Sequence, residues 1–564
     1  MYIGNKNRIN ISSSQFADFI DNGNLYVDKT MFIEHVLQDA SDVLLFTRPR
    51  RMGKSLNMNT LATFLDCKKE TAHLFKGLYI ENSPIFYQIN KTPVIYLSFR
   101  ELDIPDYKWR FKHNLMEITN RYLKEEQYIP TLSEYFNNNE NNNTGALLDL
   151  TKNLYSVYGV KPYIIIDEYD KPMMDNIHSP DISELKKWIT NIFGLALKDN
   201  PSLGKAVLTG VTRIAKENMF SGLNNLKVYD LLHASVYDTD FSLTESELTE
   251  LLPKEKIEGA RKWYNNMRVG KELLYNIYSV MNYLSDIEAG LKGYWSMTGG
   301  EHLLASLLTD SRAETITRML DRGKYYYDTK LDYQINMEYL KNIAQCNDIL
   351  FYTLAVQAGY LSFQQTDPDG FKVFIPNEEA RRVWARLVLD IQYNSADNRL
   401  YNIFAGIDDV DTFSRQLTDF TSMVLSYNDF KAQDEWVYHV FFMGLVYSLG
   451  YECKSNIEAG LGRFDIMIQS RKFCAIIEFK TSKSPDNAAL EKEVEEAIKQ
   501  IDDKEYWYEL KNSPLPLYKI GIACHGKKCL VKNILHNQKN KQKIHRRSRW
   551  YFICGQSPIL LATP

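Results

Sequence analysis

The sequence predicts a multidomain α/β protein whose first 240 residues build a parallel sheet, and three observations carry that prediction. Short, continuous apolar runs recur at residues 43–46, 94–97, 163–166 and 206–208, each followed by polar or glycine punctuation and a helix-length segment. Continuous rather than alternating apolarity suits strands covered on both faces, as in a parallel sheet flanked by helices. The third observation is size, since 564 residues at roughly 150 per domain make about four units.

Composition narrows the class. Apolar residues make up 45% and charged residues 24%, the proportions of a water-soluble globular chain. Sixty-seven Lys and Arg against 71 Asp and Glu leave a net charge of −4, so the whole chain does not advertise itself as a nucleic-acid binder. No apolar run of about 18 residues occurs, and residues 1–10 lack an apolar signal core. A cytoplasmic protein with no membrane partner is expected. The cysteines are Cys67, Cys346, Cys453, Cys474, Cys524, Cys529 and Cys554. Their odd number, wide spacing and lack of CxxC pairs argue against a disulfide framework and a zinc site.

The elements follow in order. An asparagine-rich tract at residues 137–143 reads as an exposed loop. From about Ser242 to Gln365 the leucines fall at helical spacing (Leu248, Leu251 and Leu252; Leu303, Leu304, Leu307 and Leu308), predicting a mostly helical middle region. Asp367-Pro368-Asp369-Gly370 predicts a hairpin turn, and a helical stretch is expected from Asn377 to about Tyr427. The last segment reads as a helix at 436–449, a strand pair at 463–469 and 474–479, a charged helix at 488–510 and a strand at 518–523. Beyond Leu535 the chain turns basic and is expected to be a solvated extension. The resulting domain division is 1–240, 241–430, 431–535 and a tail at 536–564.

Gly53-Lys54-Ser55 follows an apolar strand and opens a helical stretch, the context of a P-loop. Gly53 would let backbone N–H groups approach phosphate oxygens. Lys54 would reach the β- and γ-phosphates of ATP, and the Ser55 hydroxyl would bind Mg²⁺. The first glycine of the general motif falls on Arg48. Residues 163–168 end an apolar run in Asp167-Glu168, where Asp167 would hold Mg²⁺ and Glu168 would polarise the attacking water. A third strand ends in Thr209-Gly210 with Arg213 close behind. Thr209 would sense the γ-phosphate, while Arg213 would either offset transition-state charge or form a structural salt bridge.

These segments resemble the AAA-ATPase-like family. The resemblance rests on Tyr26-Val27-Asp28-Lys29-Thr30, Arg48-Pro49-Arg50-Arg51-Met52-Gly53-Lys54-Ser55, Ile166-Asp167-Glu168-Tyr169-Asp170 and Leu208-Thr209-Gly210-Val211-Thr212-Arg213-Ile214. It implies that Arg48 is a usual variant and that Arg50 and Arg51 join the nucleotide site. It continues through Trp263-Tyr264 and residues 275–280, but Asn265-Asn266-Met267 stands where the family commonly has Asp-Gly or Asn-Gly.

A second constellation lies near the other end. Glu478 and Lys480 are two apart on a strand and share a face, and Asp465 sits on the preceding strand of the hairpin. Two carboxylates beside one ammonium group repel each other unless a cation such as Mg²⁺ lies between them. With Glu458, Gly462-Arg463-Phe464-Asp465 and Ala497 to Ile501, the segment resembles the PD-(D/E)XK nuclease superfamily. That resemblance implies Asp465 and Glu478 as metal ligands, Glu458 as an auxiliary ligand, Lys480 as the catalytic cation and Gln500 as a brace. Tyr438-His439 resembles the family's pair on the first helix.

The expected architecture is therefore a P-loop parallel-sheet ATPase domain, a helical middle region, and a C-terminal α/β/α restriction-endonuclease-like domain. The expected function is an ATP-regulated, Mg²⁺-dependent phosphodiesterase acting on nucleic acid, DNA by preference. The alternative is an ATP-dependent switch whose nuclease-like domain only binds nucleic acid or a protein. A homo-oligomer is compatible with either.

Overall fold

The computed structural model describes residues 2–137, 144–215, 219–220, 223–295, 302–320, 326–332, 334–340, 346–367, 370–392, 403–424, 442, 446, 452–459, 462–470, 472–510, 513–526 and 528–536. The chain divides into two compact units, Met1–Trp384 and Ala385–Pro564.

In the first unit the apolar runs become β1 (Val43–Thr47), β2 (Val94–Ser98), β3 (Tyr163–Asp167) and β4 (Lys205–Gly210), joined by β5 (Leu226–Tyr229). They form one parallel sheet in the order β2-β3-β4-β1-β5. Every residue of β1 and β4 is buried, which is why their sequences are apolar without alternation. On one face Phe32 packs edge-on against Phe46 and Phe241, both at 5.3 Å between ring centres. The sheet order inserts β4 between β1 and β3, so Thr209 stands between the loop after β1 and Asp167.

The middle region is mostly helical, and α2 (Ile277–Ser285) matters for the site. Asn276 starts it, its Oδ1 accepting from the Ser279 N–H at 3.1 Å. The predicted hairpin forms between Ser362–Gln365 and Phe371–Phe374. The departure at Asn265-Asn266 resolves simply: Asn266 takes φ 69°, a left-handed conformation that asparagine tolerates better than most side chains.

Within the span expected as one helix from Asn377 to Tyr427, the described residues include the helices α3 (Glu378–Gln392) and α4 (Val410–Val424). Residues 406–409 form a turn, and Asp409 restarts the helix by accepting from the Thr412 N–H at 3.2 Å.

The second unit holds a five-stranded sheet in the order β6 (Glu452–Ala459), β7 (Gly462–Gln469), β8 (Cys474–Thr481), β9 (Leu517–His525) and β10 (Lys528–Leu535). Only β8 and β9 run parallel. Two of these strands, β6 and β10, extend the predicted set. The charged helix runs as α5 (Asn487–Asp503), ending before a 3₁₀ turn at Tyr506–Leu510. Edge strand β10 is covered by α4, whose Thr418 and Ser414 hydroxyls accept from the Val531 and Asn533 N–H groups at 3.1 and 3.0 Å.

The cysteine expectation needs correcting at one place. Cys524 and Cys529 stand opposite each other in the β9–β10 ladder and form a disulfide. Only the cross-strand register brings them together, and spacing along the chain does not reveal it. Residues 138–143 of the asparagine tract, most of the 436–449 helix and the tail from 537 lie outside the described residues.

Candidate functional site

The loop between β1 and α1 (Lys54–Leu65) shapes the first site. Gly53 has φ 82°, and a Cβ added there would meet nothing within 4 Å, so the approach to its backbone is open. Lys54 is buried, and its Nζ donates to the Arg48 carbonyl at 2.9 Å and the Pro49 carbonyl at 2.7 Å. Burial pushes its ammonium down to about 8, with Asp167, Asp170 and Glu168 pulling the other way. Such a lysine gains from any anion that reaches it.

Arg48 does different work from the glycine it replaces. It is fully buried and donates to the carbonyls of Thr47 at 2.9 Å, Tyr229 at 2.8 Å and Tyr237 at 3.5 Å. It thereby ties the loop to β5 and the segment after it.

Asp167, at the end of β3, is buried, and its Oδ1 accepts from Thr209 Oγ at 2.6 Å and from the Glu168 N–H at 3.1 Å. Glu168 follows in a left-handed conformation (φ 55°), and its Oε1 accepts from Arg100 Nη2 at 2.9 Å. Asp170 fastens the base of the site: its Oδ2 accepts from the N–H groups of Val211 and Thr212 and from Thr212 Oγ, at 3.0, 2.7 and 2.6 Å. Arg213 stands elsewhere, with Nη1 2.7 Å from the buried Asp230.

Lys54, Glu168 and Asp170 face a cavity of about 840 Å³. Arg50, Arg51, Gly53, Lys54, Ser55, Arg100, Glu168 and Asp170 line its polar part, while Ile11, Val27, Ile277, Tyr278, Met281 and Leu304 give apolar walls. Its volume and mixed lining suit a ligand with an apolar part and a charged end. Asp167, Thr209 and Arg213 are not among the lining residues. Sequence reading missed Arg100 and Asp170. Arg100 is 68 positions from Glu168, and pairing in the sheet is what joins them.

The second site lies on β7 and β8. The antiparallel register pairs Ile466 with Ile477, which leaves Asp465 and Glu478 one step further along the same two strands. Asp465 Oδ2 accepts from the Phe479 N–H at 2.8 Å. Glu478 is 2% exposed, and its Oε1 faces Lys480 Nζ at 3.3 Å and accepts from Gln500 Nε2. Its other oxygen, Oε2, is buried with no hydrogen-bond partner among the described residues. Burial above all, and then the Asp465 charge, push the Glu478 carboxyl up to about 8. Gln500 Nε2 also reaches the Tyr506 hydroxyl at 3.2 Å.

A bare, buried carboxylate oxygen beside a second carboxylate fits a hard divalent cation. Glu458 is placed on β6, its backbone opposite Arg463. Among the described residues no group of three or more His, Cys, Asp or Glu is gathered for a metal. Tyr438 and His439 lie outside the described residues.

Comparison with known proteins assigns the segments that hold these two sites. Residues 10–220 match the model of a predicted AAA-ATPase, and residues 433–534 match the PD-(D/E)XK nuclease superfamily. The chain carries a predicted AAA-ATPase domain and a PD-(D/E)XK nuclease superfamily domain. The ATPase domain holds the Lys54 site, and the nuclease-superfamily domain holds the Glu478 site. A protein encoded in the vnfD 5′ region of Azotobacter chroococcum is 25% identical over 532 residues, 88% of this chain and 92% of that protein. A Walker-type ATPase of Pyrococcus abyssi is 13% identical, with a TM-score of 0.33, covering 63% of this chain and 94% of its own. The ORC2 protein of Aeropyrum pernix is 10% identical, with a TM-score of 0.24, covering 64% of this chain and 92% of its own. Among the described residues no helix is long and apolar enough to cross a membrane.

Proposed function

We propose that this protein binds and hydrolyses ATP to control a Mg²⁺-dependent phosphodiesterase acting on DNA. The carrying observation is the Glu478 carboxylate, buried beside Asp465 with one oxygen bare, in the same chain as a buried P-loop lysine.

In the ATPase domain, Gly53, Lys54 and Ser55, with Arg50 and Arg51, bind the triphosphate. Ser55 and Asp167 would hold its Mg²⁺, with Thr209 fixing the Asp167 carboxylate through their 2.6 Å bond. Glu168 accepts the proton of the attacking water once Arg100 lets it go. Arg213 braces Asp230.

In the nuclease-superfamily domain, Asp465 and Glu478, with Glu458 as auxiliary ligand, would hold the metal. A bound Mg²⁺ supplies charge that offsets the paired carboxylates and polarises the scissile phosphate. Lys480 steadies charge developing on that phosphate and orients the water. Gln500 fixes the Glu478 rotamer from α5.

The test is cleavage of DNA with and without ATP by wild type, Lys54→Ala and Asp465→Ala. Cleavage that needs Asp465 and changes with ATP only when Lys54 is intact supports the proposal. Equal behaviour of wild type and Asp465→Ala with Lys480→Ala leaves a domain that only binds nucleic acid or protein.

A further inference from the structure

The loop that opens the ATP site turns through two left-handed residues, Arg51 at φ 62° and Gly53 at φ 82°. Glycine adopts that backbone freely, while arginine does so only against a steric penalty, so its place needs a local reason. The contact that Arg51 makes there is aromatic: its guanidinium carbon stands 4.7 Å from the centre of the Tyr278 ring, on α2. Both residues line the same cavity as Lys54 and Ser55.

A second route joins the same loop to the same helix. The Ser242 N–H donates to the Met52 carbonyl at 3.1 Å, and Ser242 Oγ accepts from the Ile277 N–H at 3.3 Å. The Ser242 route involves only neutral groups, so a polyphosphate does not compete for them. The Arg51 route is held by charge, and a polyphosphate does compete.

The geometry points to an autoinhibitory latch in which Tyr278 holds the Arg51 guanidinium against α2, and a nucleoside triphosphate must draw Arg51 off the ring to complete its phosphate contacts. This rests on the reading of the cavity as an ATP site. Arg51 is exposed and Tyr278 half-buried, so the ring contact is weak. Charge-assisted bonds to phosphate oxygens are stronger, and the triphosphate wins at a fixed loss of affinity. A monophosphate lacks the outer phosphates and leaves the latch shut. Release of the Tyr278 ring thus reports the number of phosphates bound, while the Ser242 route keeps the loop tied to α2. Ser279 on α2 donates to Glu379 in the first turn of α3 at 2.8 Å, so a shift of α2 is felt there.

Calorimetric titration of the full chain with Mg·ATP and with AMP tests this. Tyr278→Leu should tighten ATP binding by about two- to five-fold and leave AMP unchanged. Tyr278→Phe, which keeps the ring, should match wild type. In an Arg51→Ala background, Tyr278→Leu should have no further effect. Weaker binding of both nucleotides in Tyr278→Leu would make the ring a platform for the base and overturn the latch. So would unchanged ATP affinity, or a tightening that persists without Arg51. If Tyr278→Leu does not fold, Tyr278→Met carries the same comparison. Failure of the underlying reading looks different: wild type then binds ATP no better than Lys54→Ala.

Discussion

Replacing Glu478 by Gln removes the charge that burial and Asp465 both oppose, and the consequence is set by linkage. The Glu478 carboxyl moves from an ordinary value of 4.5 to about 8 in the folded chain. The folded state therefore holds its proton more tightly than the unfolded state does. The stability this group contributes is fully present below pH 4.5 and is lost as pH rises through the window up to about 8. Between pH 5 and 7.5 this one group removes about 3 kcal/mol. For a unit the size of Ala385–Pro564 that corresponds to a melting shift of about 6–12 °C. Scanning calorimetry of the full chain in EDTA should show this fall in the transition that nucleotide does not move. The same transition in Glu478→Gln should lack it. Adding Mg²⁺ at pH 7.5 should recover wild type and leave the variant unmoved, because the cation replaces the missing proton between the carboxylates. Equal pH slopes in the two proteins, or equal stabilisation of both by Mg²⁺, would refute the reasoning.

Other perturbations have equally definite outcomes. Arg100→Ala removes an exposed ion pair worth up to about 1 kcal/mol, so freeing Glu168 should raise basal phosphate release by up to about five-fold, whereas Glu168→Gln should abolish release. Asp170→Ala deletes the acceptor of three hydrogen bonds that close the base of the ATP site. It should cost about 2–5 kcal/mol in a denaturant titration of the first unit. Gly53→Ala meets no steric neighbour, so its whole cost is backbone strain of about 1–2 kcal/mol, seen as a small melting shift together with weaker ATP binding. Lys54→Ala should abolish the thermal stabilisation that Mg·ATP gives wild type.

The parts of the fold legible in the sequence are those governed by short-range periodicity. The runs ending at Phe46, Leu97, Ile166 and Leu208 are strands because each is buried on both faces, and continuous burial writes itself directly into composition. Glu478 and Lys480 share a face because strand side chains repeat every two residues. Strands β6 and β10 were not legible: Glu452–Ala459 mixes charged and polar residues, and only pairing with β7 makes it a strand. The restart at α4 carries little signal because the cap at Asp409 is a single side chain.

The sites divide along the same line. Gly53-Lys54-Ser55 and Asp167-Glu168 are legible because each is a run of neighbouring residues at a strand's end. Partners drawn from distant segments carry no such mark. Arg100 meets Glu168, Arg213 turns to Asp230, Arg51 lies on Tyr278, and Cys524 faces Cys529. Sequence alone determined strands β1 to β4 of the parallel sheet and which residues carry charge, since propensity and continuous burial act within a few positions. Tertiary structure decided which charges are paired, buried or left bare, because those energies depend on through-space distance and on the water that folding removes.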